Sequence, residues 1–250
     1  MRSAIPLLRY FPAPYIGGWV RRLLYWAPAQ ARDALGFYRR TIGIYEDREQ
    51  QTAETVAALK KKYAQQLAIG RLPVTELLKM LGECYDPSSV ALGGVSQLGH
   101  SLQVAEGMER DGIRDPDLLI AALVHDLGKL LLLAGERPEN VVGMRRLIGE
   151  FPHGAGWDNC LFNWGHDDFI YLRLKNYLPD HVAWLLRHHS LMYNDMKPYM
   201  DDRDRRYYDR YMRVFQQYDD KTKSMVKAPV KRIADYQALI DSYFPEPVAF

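Results

Sequence analysis

LLIAALVHDLGKLLLLAG, residues 118–135, is the stretch on which the reading of this chain turns. Almost every position is apolar, and Asp115 and Pro116 frame it upstream as a helix cap followed by a first-turn proline. Yet His125 and Asp126 sit side by side in its middle. An uncompensated charge in apolar surroundings costs several kcal/mol, so the pair needs partners. A metal ion is the simplest partner that satisfies both. Neighbouring residues on a helix point about 100° apart, so the two side chains can serve two metals, or one metal from two sides. Gly128 leaves room for another backbone or a ligand to approach. Lys129, four residues beyond His125, falls on the same face and brings an ammonium toward the same cavity.

The rest of the chain reads as helix. Residues 28–66 carry two helical stretches, AQARDALGFYRR and EQQTAETVAALKKKYAQQL. VTELLKMLGEC follows Pro73 with Thr75 as its expected cap, then a loop at YDPSSVALGG. SQLGHSLQVAEGMERDG is a helix ended by Gly112, and DPDLLIAALVHDLGKLLLL the strongest one. Residues 135–160 read as a long Gly- and Pro-rich loop with a short helix at GMRRLIGE. Further helices are expected near 166–177, 180–193, 201–222 and 230–243. Strand-like alternation is nearly absent. The expected fold is all-α, one compact multi-helix domain over 31–250 behind an irregular basic and aromatic arm at 1–30.

Bulk properties narrow the function classes. The 250 residues are ample for a real core, with 48% hydrophobic and 26% charged residues of both signs. A net charge of +2 gives no global argument for nucleic acid or an anionic surface. Two cysteines, Cys84 and Cys160, are too few for a disulfide framework and suit a reducing, cytoplasmic setting as inert packing residues. No apolar run approaches the ~18–20 residues of a membrane span, so stable membrane insertion is not expected.

Other residues could complete a metal site: His100, His166, His189 and Asp219, each on its own expected helix or helix edge. Four histidines and two aspartates are nitrogen and oxygen donors without thiolate. They suit iron, manganese or zinc in a hydrolytic or oxygenase centre rather than a structural zinc site. Six donors exceed what one reactive metal takes from protein, and two metals sharing a carboxylate fit the count better. His153 and His181 read as ordinary structural histidines, and Asp167, Asp168 and Asp220 as solvated or capping. Of His188 and His189 only one can face inward.

The order His…His-Asp…Asp on helices resembles the HD-domain superfamily of metalloproteins. HDLGKLLLLAGERPENVVG (125–143), NWGHDDFIY (163–171), RHHS (187–190), YDDKTK (218–223) and YQALIDSYFP (236–245) resemble the corresponding segments of myo-inositol oxygenase. SLQVAEGMERD (101–111) is similar to the segment after that family's first histidine ligand, and QTAETV and GECYDP match more weakly. The resemblance spans roughly 50–245. It implies His100, His125, Asp126, His166, His189 and Asp219 as ligands of two irons, with Asp126 bridging a mixed-valent Fe(II)/Fe(III) pair. It further implies O2 as co-substrate and a four-electron cleavage of a carbon–carbon bond in a small hydroxylated substrate, such as myo-inositol, giving glucuronate. Lys129 and Asp126 become the catalytic residues. Glu83, Lys129, Gly143, Met144, Ser190 and Lys223 become the substrate wall, with Ser190 selecting His189 as the inward histidine.

Two departures bear on the substrate. The family carries an acidic residue after Val-Val-Gly where this chain has Met144, and the connection from Lys129 to His166 is shorter than in the animal enzymes. A polyol site that pairs every hydroxyl discriminates strongly, and Met144 removes one such partner. Two other function classes compete. An HD-type phosphohydrolase would use the same pair to activate water, with Arg145, Arg146 and Arg187 for the phosphate. A metal-free binding module would use the N-terminal arm and MDDRDRRYYDRYMR (200–213) as contact surfaces.

Overall fold

A computed structural model describes residues 43–44, 46–84, 86, 96–143, 145–191, 193–223 and 228–250, with the backbone alone at 221–223. The arm at 1–30, the helical stretch at 29–40, Met144, most of the 85–94 loop and the Lys223 side chain lie outside these residues.

The helices form where caps and apolar spacing agree. α1 (Ala53–Gln65) starts at Thr52, whose hydroxyl accepts from the Thr55 amide, and buries Val56, Leu59 and Tyr63. β1 (Arg71–Leu72) follows. α2 (Val74–Leu81) has Pro73, not Thr75, at the cap position and no side-chain cap bond. The proline's fixed φ starts the helix two residues earlier than the threonine would. α3 (Gln97–Arg110) is capped by Ser96, and Gly112 follows with φ 88.

α4 (Pro116–Val124) is shorter than its apolar run predicts. Asp115 caps it and Pro116 opens it, but the α-helix ends at Val124. Asp126 takes φ −97 and ψ 1, and Leu127–Leu132 wind as 3₁₀ helix. Apolar periodicity does not separate these two windings. What separates them is Gly128, packed so tightly on the His166 backbone that a Cβ would stand 2.7 Å from its carbonyl carbon. The tighter winding brings the two segments together.

α5 (His166–Leu174) and α6 (Asp180–His188) form the next antiparallel pair. The expected helix at GMRRLIGE is absent; Arg145 and Leu147 make isolated bridges to Leu191 and Phe162 instead. The expected 180–193 helix stops at His188, and a short α7 (Tyr193–Met196) follows separately. The expected 201–222 helix is three pieces: α8 (Asp202–Tyr207), a π-helical turn at Tyr208–Met212, and α9 (Arg213–Lys223). α10 (Gln237–Tyr243) and β2 (Val248–Ala249) complete the order. β1 and β2 pair antiparallel, Arg71 with Ala249 and Leu72 with Val248, a feature too short for alternation to reveal.

α4 is the buried axis, with α3 and α6 packed on it. α9 lies across α3, while α5 packs on α6 and on the 3₁₀ turn. The protein is therefore an all-helical fold with one minor strand pair among the described residues. No helix among them is long and apolar enough to cross a membrane.

Candidate metal centre

Five separate segments send donors to one buried point. His100 comes from α3, His125 and Asp126 from the end of α4, His166 from the start of α5, His189 from the end of α6 and Asp219 from α9. All six are at most 5% exposed. They divide into two trios, His100–His125–Asp126 and Asp126–His166–His189, each with its donor atoms within 4.8 Å of one another.

Asp126 belongs to both trios. Its Oδ2 lies 3.3 Å from His125 Nε2 and 3.9 Å from His100 Nε2. Its Oδ1 lies 3.4 Å from His166 Nε2 and 3.9 Å from His189 Nε2. Asp219 borders the first trio, with Oδ1 2.8 Å from His100 Nε2 and 3.8 Å from His125 Nε2. His166 Nε2 and His189 Nε2 stand 3.3 Å apart.

Three of the rings are turned the same way. Nδ1 of His125 meets Ala122 O at 3.0 Å, that of His166 meets Val141 O at 2.9 Å, and that of His189 meets Leu186 O at 2.9 Å. A carbonyl at Nδ1 fixes the proton there and turns the Nε2 lone pair inward, as metal-binding histidines require. His125 Nε2 is buried with no hydrogen-bond partner. A buried nitrogen left so is costly unless something electropositive occupies the space in front of it. The residues therefore fit metal binding, and each trio could hold an ion.

The electrostatics agree at His100, His189 and Asp126. Burial keeps the His100 imidazole below its usual range, and burial also pushes His189 down to about 4, so both are neutral donors at neutral pH. For Asp126 burial opposes ionisation, but His125 and Lys129 outweigh it and hold the carboxyl well below the usual range. His125 is raised, burial being outweighed by Asp126 and Asp219.

Lys129 reaches this centre through the 3₁₀ turn. Its Nζ lies 2.9 Å from Asp126 Oδ2, 2.8 Å from Asp86 Oδ2 and 2.8 Å from Gln97 Oε1. Burial would discharge the ammonium, but the two carboxylates raise its pKa above the usual lysine value. Asp86 and Gln97 were not read from the sequence as site residues. The acid expected here, Glu83, is exposed, and Asp86, three residues on, reaches Lys129 instead.

Asp167 is a correction. It is fully buried rather than solvated, 3.0 Å from His189 Nδ1, and accepts from Ser190 Oγ at 2.8 Å. Its position directly after His166 was the available signal. Ser190 thus orients Asp167. Asp168 is also buried, held by two bonds from Arg145 Nη2 at 2.9 and 3.1 Å. Asp220 is exposed. Both residues of the His188–His189 pair are buried, and His188 turns away to Asp158 at 3.1 Å. His181 pairs with Asp117 at 2.8 Å, and His153 is exposed. Gly143 lies just past Val141 with φ 97. Both cysteines are free and buried; burial pushes the Cys84 thiol up to about 12.

A family model described as myo-inositol oxygenase matches residues 39–150 and 144–250. The chain belongs to the myo-inositol oxygenase family. Among its relatives, "Probable inositol oxygenase" of Oryza sativa subsp. japonica is 30% identical over 240 residues, covering 78% of this chain and 75% of the relative. "Inositol oxygenase 2" of Arabidopsis thaliana is 31% identical over 238 residues, covering 78% and 73%. "Inositol oxygenase" of Bos taurus is 28% identical over 265 residues, covering 87% and 92%. As a member of the myo-inositol oxygenase family the chain is an oxidoreductase, and the family implies iron for its His/Asp groups.

Proposed function

We propose that this protein is a diiron oxygenase that cleaves a carbon–carbon bond of a polyol, myo-inositol or a related hydroxylated compound, at the expense of O2. The observation that carries the reading is Asp126, whose two oxygens each face a separate histidine pair. His100, His125 and Asp219 would hold one iron, His166 and His189 the other. Bound there, a mixed-valent Fe(II)/Fe(III) pair supplies oxygen activation and redox capacity for a four-electron oxidation. For myo-inositol the balance is C6H12O6 + O2 giving glucuronic acid, C6H10O7, and water.

The chain's own groups prepare the substrate. Lys129 places a fixed positive charge 2.9 Å from the shared carboxylate, where a substrate oxygen gains negative character as it loses its proton. Its three N–H groups are met by Asp86, Asp126 and Gln97. A substrate oxygen therefore takes an N–H from the neutral Gln97 at lower cost than from either carboxylate. Asp86 takes the place expected of Glu83, and Gly143, Met144, Ser190 and Lys223 complete the proposed substrate wall, with Met144 in place of an acid as the reason to test substrates beyond myo-inositol.

The phosphohydrolase alternative wanted Arg145, Arg146 and Arg187 for a phosphate. Arg145 is buried on Asp168, Arg187 pairs with Asp158, and Arg146 pairs with Glu49 at 2.8 Å. The charge-rich segment of the binding-module alternative buries Met200, Asp204, Tyr208, Tyr211 and Met212 in the fold. The deciding experiment loads the protein with iron and measures oxygen uptake against a polyol panel, with mass detection of products. Uptake of one O2 per polyol cleaved, with about two irons per chain, is expected. Phosphate-ester hydrolysis with Mg or Mn and no oxygen use would sink the proposal.

A further inference from the structure

The two halves of the centre are supported differently. His100, His125 and Asp219 stand on α3, α4 and α9, which pack on one another. His166 instead opens α5 behind Gly165, which gives the helix no side-chain cap. Its ring and its amide both hang on Val141 O, each at 2.9 Å. The place of this imidazole therefore depends on how two irregular segments, 139–141 and 163–165, sit against each other.

Both segments are fastened by one upstream pair. Arg48 Nη1 donates to Trp164 O at 2.8 Å and to Glu139 O at 3.3 Å. Gln51 Nε2 donates to Glu139 O at 3.0 Å, to Asn140 Oδ1 at 3.2 Å and to Trp164 O at 3.3 Å. Gln51 Oε1 accepts from the Trp164 amide at 2.7 Å. Arg48 is 1% exposed and Gln51 8%. Gly165 is the counterpart of this clamp: a Cβ there would stand 3.0 Å from Arg48 Nη1 and closer still to Nη2. A side chain at 165 would expel the guanidinium.

We infer that Arg48 and Gln51 are positioning residues for the second metal half-site, setting the His166 ring by tying 139–141 to 163–165. The inference rests on the two-iron reading above. Neither residue touches a metal donor; they act through two backbone carbonyls, one backbone amide and the Asn140 side chain. Outer contacts of this kind change metal affinity about 10–100-fold when removed.

The test is an anaerobic Fe(II) titration followed by calorimetry and elemental analysis, with deuterium exchange of the metal-free protein as a second readout. Gln51→Met keeps the side chain's length and removes its polar end; Arg48→Ala and Arg48→Lys form a loss-and-rescue pair. Tyr236→Phe, which removes a 2.8 Å bond to Glu109, is the control for a lost hydrogen bond elsewhere. Wild type is expected to take two equivalents. Gln51→Met and Arg48→Ala should take the first with wild-type affinity and the second about 10–100-fold more weakly, with partial recovery in Arg48→Lys. Their Trp164 and His166 amides should exchange faster while those of α3 do not. Equal weakening of both equivalents, an unaffected second equivalent, or unchanged exchange at Trp164 and His166 overturns the inference. One equivalent in wild type overturns the two-iron reading instead, and exchange then decides the clamp.

Discussion

Asp126 is the residue on which both halves of the centre converge, and its replacement should differ in kind from that of any histidine. Asp126→Ala is expected to abolish binding of both irons. His189→Ala should leave the trio of His100, His125 and Asp126 intact and reduce the content to about one, as elemental analysis will show. Lys129 makes a second prediction. Its ammonium neutralises Asp86 and Asp126 in a buried place, so Lys129→Met should cost about 3–5 kcal/mol of stability in the metal-free protein, by denaturant unfolding. The double change Lys129→Met/Asp86→Leu should recover part of that loss. With iron restored, Lys129→Met should keep its metal and lose about 10²–10³ in kcat. Glu136 gives the pH dependence. Burial would raise its pKa, but bonds from Asn140, Lys62, Tyr63 and the Arg137 amide hold it at about 2 against an ordinary 4.5. A depressed carboxylate stabilises the fold above the unfolded value and loses that contribution as pH falls from 4.5 toward 2. The melting-temperature gap between wild type and Glu136→Gln should therefore be full at pH 7 and shrink through that window. At this scale His125 and Asp126 were legible because histidine and aspartate in an apolar run are conspicuous, whereas His166, His189 and Asp219 lie in polar stretches and stood out through motif resemblance. Asp86, Gln97 and Asp167 were not, because their roles depend on neighbours distant in the chain or on burial that a polar stretch conceals.

Element by element, helices were legible and their ends were not. Ser96 and Asp115 announce α3 and α4 through local cap chemistry that sequence displays directly. The stop at Val124 is set by a contact between Gly128 and the His166 backbone, which no local pattern encodes. That contact yields a prediction. Gly128→Ala pushes a methyl against the His166 carbonyl, so the 3₁₀ turn and the start of α5 must separate. The expected loss is about 1–3 kcal/mol for overpacking, together with weaker binding at the His166–His189 half, read by thermal melts and iron titration. Retention of both wild-type values would show that the two segments give way freely. The segment GMRRLIGE illustrates the opposite failure. Its Arg145 is drawn into the interior by Asp168 and bridges Leu191, and Leu147 bridges Phe162, so helix-forming residues are overruled by partners far along the chain.

Across the whole molecule, six donors from five segments meet only after α3, α4, α5, α6 and α9 have packed. The all-helical class was legible from periodicity, whereas the arrangement that makes His166 and His189 neighbours 3.3 Å apart was not. The resemblance of short motifs supplied that link, and the family match bears out the resemblance itself. The π turn at Tyr208–Met212 stands between α8 and α9, two turns ahead of Asp219. Such a turn holds one residue more than an α-helical turn. It works as a phase setting on a screw. Removing one residue there turns all of α9 by about 100° and draws it back about 1.5 Å, which sends Asp219 off His100. Substitutions in this stretch change a surface; a change in its length retimes the helix that carries the last donor.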